Sequence, residues 1–177
     1  MIYEISRLDP HKIQDDTLCD GLAEVLHACV HDGASVGFVL PFSKDEAHRF
    51  WTQKVLPQVM KGGTTLWVAR SEGRIFGTVQ LHHDLPPNQP HRADVAKLLV
   101  HPDARRNGMA RALMDALEGE ARTLNKRLLV LDTRSGDPSQ MLYENMGFAV
   151  AGEIPGYCLN PFNGTPEATT YLFKSLT

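Results

Sequence analysis

Residues 93–148 read ADVAKLLVHPDARRNGMARALMDALEGEARTLNKRLLVLDTRSGDPSQMLYENMGF, and this segment gives the strongest indication of the fold. The short, mostly apolar segment Ala93–Val100 predicts a strand. Apolar spacing over Gly108–Leu124 predicts an amphipathic helix. The unbroken apolar run Leu128–Leu131 is typical of a strand buried on both faces. A short helix at Pro138–Met146 follows, so the stretch alternates strands with helices.

Further strands are predicted on both sides of this stretch from their β-rich composition. These segments are Ile2–Leu8, Thr64–Ser71, Arg74–His83, Phe148–Ile154 and Thr169–Lys174. Glu72 and Gly73 separate two of them and indicate a hairpin. The resulting pattern is a chain with both strands and helices along its whole length.

Two more helices are predicted before the first hairpin. Thr17 is a candidate N-cap for a helix that runs to about Val30. Ser43 and Glu46 form the sequence pattern of a capping box and open another helix. Pro57 lies late in that helix and is expected either to kink it or to end it.

The totals limit the class of protein. With 177 residues and neither repeat nor linker, the chain is expected to form a single domain over residues 1–177. An apolar share of 42% argues against disorder, and a net charge of −3 gives no overall basic surface for nucleic acid. Neither a signal peptide nor a membrane-spanning segment is expected. Three cysteines without C-x-x-C spacing favour reduced thiols in a cytoplasmic protein.

The segment Arg105–Ala110, with the sequence RRNGMA, lies between a predicted strand and a predicted helix. The first N–H groups of a helix are unpaired and carry the positive end of its dipole. Gly108 allows the backbone to approach an anion closely, and the arginines supply donors for phosphate oxygens. The segment therefore predicts a pyrophosphate site. A solvated basic turn is the alternative.

The order of these features resembles the GNAT superfamily of acetyltransferases. The resemblance rests on the Arg-x-x-Gly-x-Ala element at Arg105–Ala110, the buried strand Leu128–Leu131, and the later helix with Tyr143 followed by Gly147 and Phe148. It implies a mixed, mostly antiparallel sheet of about seven strands flanked by about four helices. It also implies that strands four and five are parallel, joined by a right-handed crossover, and splay apart at their C-terminal ends.

The resemblance implies acetyl-CoA as co-substrate and no metal cofactor. Backbone groups of strand four would pair with pantetheine, and the following turn would hold the pyrophosphate. The residues that would bind the cofactor are Leu98, Leu99, Val100, Arg105, Arg106, Asn107, Gly108, Met109 and Ala110. One family position departs from the pattern, because Gly136 stands where many members have an asparagine.

Three side chains are candidates for catalysis. Asp94 stands where strand four often carries a glutamate, and it is expected to be the base, directly or through water, on a face shared with Leu98. Asp132 is expected to orient the amine, and Tyr143 to protonate the leaving thiolate. The alternatives are that Asp94 pairs with Arg92 or Lys97, that Asp132 caps a turn, and that Tyr143 only packs.

The resulting hypothesis is acetyl transfer to a primary amine of a small molecule. A closer resemblance to toxin-resistance members suggests an amino-acid-like or toxin-like amine; it rests on segments that include residues 31–38 and 153–158. One alternative is acetylation of a protein N-terminus or lysine, which needs an open groove, whereas a loop at Pro155–Thr169 would narrow the acceptor side. The other alternative function is that of a non-catalytic regulator that binds CoA. The sequence is also compatible with a homodimer.

Overall fold

The computed structural model describes residues 2–12 and 16–176. The strands are β1 Glu4–Arg7, β2 Thr64–Ser71, β3 Arg74–His82, β4 Arg92–Val100, β5 Leu128–Arg134, β6 Ala149–Leu159 and β7 Pro166–Ser175. The helices are α1 Asp16–His31, α2 Lys44–Phe50, α3 Leu56–Met60, α4 Met109–Thr123 and α5 Pro138–Asn145. A π-helical turn at Trp51–Val55 connects α2 to α3, so these two form one bent helix.

The strands form one sheet in the order β1-β2-β3-β4-β5-β7-β6. Only the pair of β4 and β5 is parallel within the described chain; every other neighbouring pair is antiparallel. With α2 and α3 taken as one bent helix, four helices flank the sheet. The predicted fold class is therefore confirmed, including the parallel pair of strands four and five.

Two hydrophobic clusters pack against the sheet. The first joins α1 and the bent helix to β2–β4 through residues such as Leu22, Trp51 and Leu66, all fully buried. The second joins α4 and α5 to β2–β5 and β7 through residues such as Leu113 and Leu129. Since neighbouring residues of one strand alternate between the clusters, the helices cover opposite faces of the sheet.

The bent helix shows how Pro57 is accommodated. The predicted capping box is confirmed: the Ser43 N–H donates to Glu46 Oε2 at 2.8 Å, and the Glu46 N–H donates to Ser43 Oγ at 3.2 Å. Pro57 falls in the first turn of α3, so its missing N–H removes none of the hydrogen bonds within α3. The π-helical turn precedes it, so the chain bends at this point and the helix ends only at Met60.

Several predicted boundaries were wrong. α1 already includes Asp16, so Thr17 lies inside the helix and is not its N-cap. In β5 only Leu129 and Leu131 are buried, because the other face of this strand borders a cleft. The expected loop at Pro155–Thr169 is mostly strand, since β6 runs to Leu159 and β7 begins at Pro166. Only residues 160–165 connect them.

Candidate active site

β4 and β5 separate after their first few residues. Arg92, Ala93 and Asp94 of β4 pair with Leu128, Leu129 and Val130 of β5, and the pairing stops there. The remainder of β4 faces a gap, called here the β4–β5 gap and lined by residues 95–100 and 131–134. An unpaired strand edge offers N–H and C=O groups to an extended ligand. The predicted splaying is therefore present.

A β-bulge at Lys97 changes which side chains of β4 point to each of the two faces of the sheet. Lys97 has a positive φ of 51°, and its C=O accepts a hydrogen bond from Thr78 Oγ1 at 3.0 Å. Beyond the bulge the alternation shifts by one residue, as a two-against-one pairing requires. Leu99 packs with the α1 cluster, whereas Leu98 packs with the α4 cluster. The prediction that Asp94 shares its face with Leu98 was therefore wrong.

The segment Arg105–Ala110 forms the turn into α4. Gly108 is its N-cap, with a φ of 77°, and no side chain caps the helix. Residues 105–108 are exposed. The Arg105 guanidinium pairs with Asp32, and its Nε donates to the Val100 C=O at 3.3 Å. The turn thus offers uncapped helix N–H groups and an exposed arginine next to the end of β4, a combination suited to a phosphate group.

The two candidate carboxylates lie on one face of the sheet but in different surroundings. The Arg92 guanidinium donates to Asp94 Oδ1, so the Asp94 carboxylate is held in an ion pair within its own strand. Asp132 opens to solvent on one side, yet burial on the other raises its pKa, with Asp94 acting in the same direction and Lys97 opposing it. Burial lowers the pKa of Lys97, and Asp132 opposes that shift.

Two tyrosines lie close enough to Asp132 to respond to its charge. Tyr143 on α5 is only 6% exposed, and its ring packs against Phe148 with centroids 5.8 Å apart. Burial raises the pKa of Tyr143, and the charge of Asp132 adds to the shift. Tyr171, the β7 partner of Asp132, has a pKa raised to about 12, mainly by its hydrogen bond to the Tyr157 hydroxyl. Both phenols are therefore protonated at neutral pH.

The segment between α1 and α2, residues 32–43, contacts the β6–β7 loop, residues 160–165, above the face of the sheet that carries Asp94 and Asp132. These two segments are called here the roof. The Leu40 N–H donates to the Pro161 C=O at 2.9 Å. The Phe162 ring packs so closely on Gly33 that a Cβ there would lie 2.6 Å from it. Next to the loop, Ser35 Oγ and Cys158 Sγ are 3.2 Å apart.

An open cleft of about 520 Å³ lies where the roof meets the end of β5. Its charged residues include Asp32, Asp137 and Glu167, with Arg134 paired to the last two. Gly136, at the position where a family asparagine was expected, lies on this cleft and has a φ of 79°. The cleft adjoins the turn Arg105–Ala110, because Asp32 on its wall forms an ion pair with Arg105.

A smaller pocket of about 190 Å³ lies between the bent helix and the sheet. Its lining includes Gln80 and His82 of β3 and Lys97 at the bulge. Sequence reasoning missed these three residues. Lys97 lies in the apolar segment that was predicted as a strand, and a polar residue inside an apolar strand was a signal that could have been used.

Asp132 responds to the charge of Asp94, and Tyr143 responds to the charge of Asp132, so the three candidates are near one another. The turn Arg105–Ala110 follows the end of β4. His27 and His31 stack on each other with ring centroids 4.1 Å apart. Over residues 2–12 and 16–176, no three His, Cys, Asp or Glu side chains are grouped as metal ligands would be. In the same residues no helix is long and apolar enough to cross a membrane.

Comparisons with known proteins agree with this arrangement. Residues 24–155 match the acetyltransferase (GNAT) domain family. An N-acetyltransferase from the hisH-hisA intergenic region of Azospirillum brasilense is 34% identical over 134 residues, 73% of this chain and 74% of that protein. Human N-acetyltransferase 8 is 36% identical over 93 residues, which are 51% of this chain and 41% of the human protein.

The fold also has solved counterparts. A putative acetyltransferase from Salmonella typhimurium, determined with its cofactor acetyl-CoA, superimposes with a TM-score of 0.77. The match covers 100% of this chain and 95% of the Salmonella chain at 18% sequence identity. At that identity the likeness shows a shared fold.

Proposed function

The chain belongs to the GNAT family and is an acetyl-CoA-dependent acetyltransferase, and we propose that its acceptor is a primary amine of a small molecule. The observation that carries the proposal is the roof. The Leu40–Pro161 hydrogen bond and the Gly33–Phe162 contact connect its two segments above the face that holds Asp94 and Asp132. An extended peptide needs an open groove at this place, whereas a compact amine does not.

We propose that the cofactor lies along the β4–β5 gap. Leu99 and Val100 pair with β3, but on the β5 side Leu98, Leu99 and Val100 have no strand partner, so that edge is available to pantetheine, although the Val100 C=O already accepts from Arg105. The uncapped start of α4 and the side chains of the turn would hold the pyrophosphate. Its residues are Arg105, Arg106, Asn107, Gly108, Met109 and Ala110. Acetyl-CoA supplies the acetyl thioester that the amine attacks.

We propose Asp132 as the base that takes the proton from the acceptor ammonium. A base works best when its pKa lies near the working pH, and burial raises the pKa of Asp132 in that direction. The ion pair with Arg92 occupies Asp94 and supports a role for it in binding or orienting the amine. This division is the reverse of the one expected from sequence.

Tyr143 is proposed as the acid that protonates the departing sulfur. Its hydroxyl stays protonated at neutral pH because burial raises its pKa. It makes no hydrogen bond to another residue in the described part of the chain that would hold this proton elsewhere. The phenol is therefore available to donate.

The chemical type of the amine is a finer proposal. Residues 31–38 and 153–158 resemble those of the tabtoxin resistance protein, and they contribute to the roof and to β6 beside it. An amino-acid-like or toxin-like amine is the acceptor that this resemblance supports. The same roof argues against the alternative of a protein N-terminus or lysine side chain.

The test is a screen of small amines and of short peptides with acetyl-CoA, read by release of the CoA thiol and by product mass. We expect at least one small amine to be acetylated with a kcat/KM well above that of every peptide. A peptide acetylated as well as the best small amine would contradict the proposal. Peptides with a blocked N-terminus and no lysine serve as the control for hydrolysis of acetyl-CoA.

We propose that two copies associate through β6. This strand is at the end of the sheet, and its exposed apolar residues include Val150 and Ile154, which are 50% and 45% exposed. An exposed, apolar edge strand pairs readily with a second copy in an isologous dimer. Ile154→Lys should convert a dimer into a monomer, as measured by light scattering after size-exclusion chromatography. A wild-type chain that elutes as a monomer at high concentration would contradict this proposal.

A further inference from the structure

The smaller pocket contains a buried hydrogen-bond donor without a partner. Gln80 lines this pocket and is only 2% exposed. Its Oε1 lies 2.8 Å from His82 Nε2, which as the donor would fix the orientation of the amide. Its Nε2 has no hydrogen-bond partner among residues 2–12 and 16–176. Since leaving a buried donor unpaired costs stability, this amide nitrogen points to a ligand.

The lining of the pocket has the charge and size for a small anion. Lys54 and Lys97 are its two cationic residues, and no carboxylate is among the described residues that line it. Phe50, Val55 and Ala96 supply the apolar part of the wall. A volume of about 190 Å³ corresponds to roughly six water molecules at about 30 Å³ each. A carboxylate with a few methylene groups fits this space.

The pocket lies next to the proposed catalytic carboxylates. Lys97 lies on its wall at the β4 bulge and interacts with the charge of Asp132. His82 lies directly across from Asp94 in the pairing of β3 with β4. An acceptor with one end in this pocket would therefore extend its other end toward Asp94 and Asp132.

We propose that this pocket, called here the Gln80 pocket, binds a carboxylate of the acceptor, so that the preferred acceptors are primary amines that also carry a carboxylate. The inference rests on the proposed function and narrows its substrate class. The Gln80 amide and the Lys97 ammonium would donate to the carboxylate, and Lys54 would contribute charge at the rim. His82 would act as a positioning residue through its hydrogen bond to Gln80.

The test compares matched amines that differ by one carboxylate. The pairs are β-alanine with ethylamine, 4-aminobutyrate with propylamine, 5-aminopentanoate with butylamine, and L-lysine with cadaverine. We expect kcat/KM for the carboxylated member to exceed that of its partner by at least about tenfold in one or more pairs, the factor for one charged hydrogen bond. Several chain lengths are included because the amine must reach the proposed base.

Two variants and two matched controls connect any preference to the pocket. Gln80→Leu removes the unpaired donor with little change in volume, and Lys54→Met removes an exposed charge without disturbing the core. Each should reduce the preference for the carboxylated amine several-fold. Gln53→Leu and Lys61→Met change exposed residues outside the pocket lining and should leave the preference unchanged. Lys54→Met keeps the test decisive if Gln80→Leu does not fold.

The outcomes separate this inference from the proposed function. Equal kcat/KM within about twofold in all four pairs would overturn it, as would a preference that survives both pocket variants. If none of the eight amines is acetylated while another small amine releases the CoA thiol, the carboxylate inference fails and the proposed function stands. If no small amine releases the thiol, both fail.

Discussion

At the scale of single residues, the main question is which carboxylate receives the proton of the amine. Two charged groups of β4 affect the pKa of Asp132: Lys97 lowers it and Asp94 raises it. Asp132 in turn raises the pKa of Tyr143 on α5 and of Tyr171 on β7. Burial outweighs the attraction of Lys97, so the pKa of Asp132 lies above the usual value for an aspartate. As the pH falls, the Asp132 carboxylate is therefore protonated at a higher pH than an ordinary aspartate, and it then no longer acts as a base.

The prediction is that kcat falls as the pH is lowered through the raised pKa of Asp132. In Asp132→Asn we expect kcat to decrease by about 10²–10⁴-fold and this acidic limb to disappear. In Asp94→Asn the limb should remain, and KM for the amine should rise. The measurement is kcat against pH with saturating small amine. If Asp94→Asn loses the limb and Asp132→Asn keeps it, the two roles are exchanged.

Tyr143 provides a second prediction at this scale. Tyr143→Phe should lower kcat by about 10²–10⁴-fold and leave acetyl-CoA affinity nearly unchanged, because the hydroxyl is needed only for the departing sulfur. Tyr157→Phe is the control, since its hydroxyl bonds to Tyr171 and has no proposed contact with the thiol. An unchanged kcat in Tyr143→Phe, with chemistry rate-limiting, would show that the ring serves only to pack against Phe148.

Sequence motifs could point to Asp94, Asp132 and Tyr143 because each has a fixed position relative to a predicted strand or helix. Gln80 could not be found in this way, and for Lys97 the sequence offered only a polar residue inside an apolar strand. Their roles depend on what packs against them: the bent helix covers Gln80, and the bulge turns Lys97 toward Asp132. Such contacts form between segments far apart in sequence, and no local spacing encodes them.

At the scale of elements, β3 approaches β4 and α4 closely at Gly77. A Cβ at this position would lie 3.0 Å from Leu113 Cδ1, 3.1 Å from the Leu99 C=O and 3.1 Å from Met109 Sδ. All three contacts are tighter than ordinary, and the carbonyl belongs to the backbone beside the β4–β5 gap. The glycine therefore lets β3 and α4 approach each other opposite Val100, at the C-terminal end of β4 beside the gap.

We predict that Gly77→Ala lowers the free energy of unfolding by about 1–3 kcal/mol, the usual cost of overpacking. Gly119→Ala is the matched control, at an exposed position of α4 where an added Cβ meets nothing within 4 Å. It should raise the free energy of unfolding by about 0.5–1 kcal/mol, since alanine is the better helix former. Urea denaturation of both variants provides the measurement. Equal stability of Gly77→Ala and wild type would show that β3 and α4 can separate without cost.

The elements that sequence predicted well are those with a strong local signal. α4 has a clear apolar period, and the hairpin of β2 and β3 has its Glu72-Gly73 turn; both were predicted nearly to the residue. β6 was predicted too short because Pro155 and Gly156 are turn-forming residues. The strand continues past them through an irregularity in its pairing with β7 between Ile154 and Cys158. An edge strand tolerates such residues.

At the scale of the whole molecule, the two clusters on opposite faces of the sheet share their strands, so loss of one exposes the other. We therefore expect residues 1–177 to unfold as a single domain in one transition. A ligand that binds only the folded state must then stabilise the entire chain. Acetyl-CoA, held along the β4–β5 gap and at the start of α4, should act as such a ligand.

Acetyl-CoA at about 100 times its Kd should stabilise the protein by about 2.7 kcal/mol, which raises Tm by roughly 5–10 °C for a chain of this size. Gly108→Glu should abolish this rise because it adds a negative charge where the turn would meet phosphate. Gly108→Ala is the control: both variants put a Cβ on a residue with a φ of 77°, so they share the backbone strain and differ in charge. The measurement is the melting curve of each variant with and without acetyl-CoA. Equal shifts in Gly108→Glu and Gly108→Ala would place the phosphates elsewhere, and a wild-type Tm unmoved by acetyl-CoA would contradict cofactor binding at the gap.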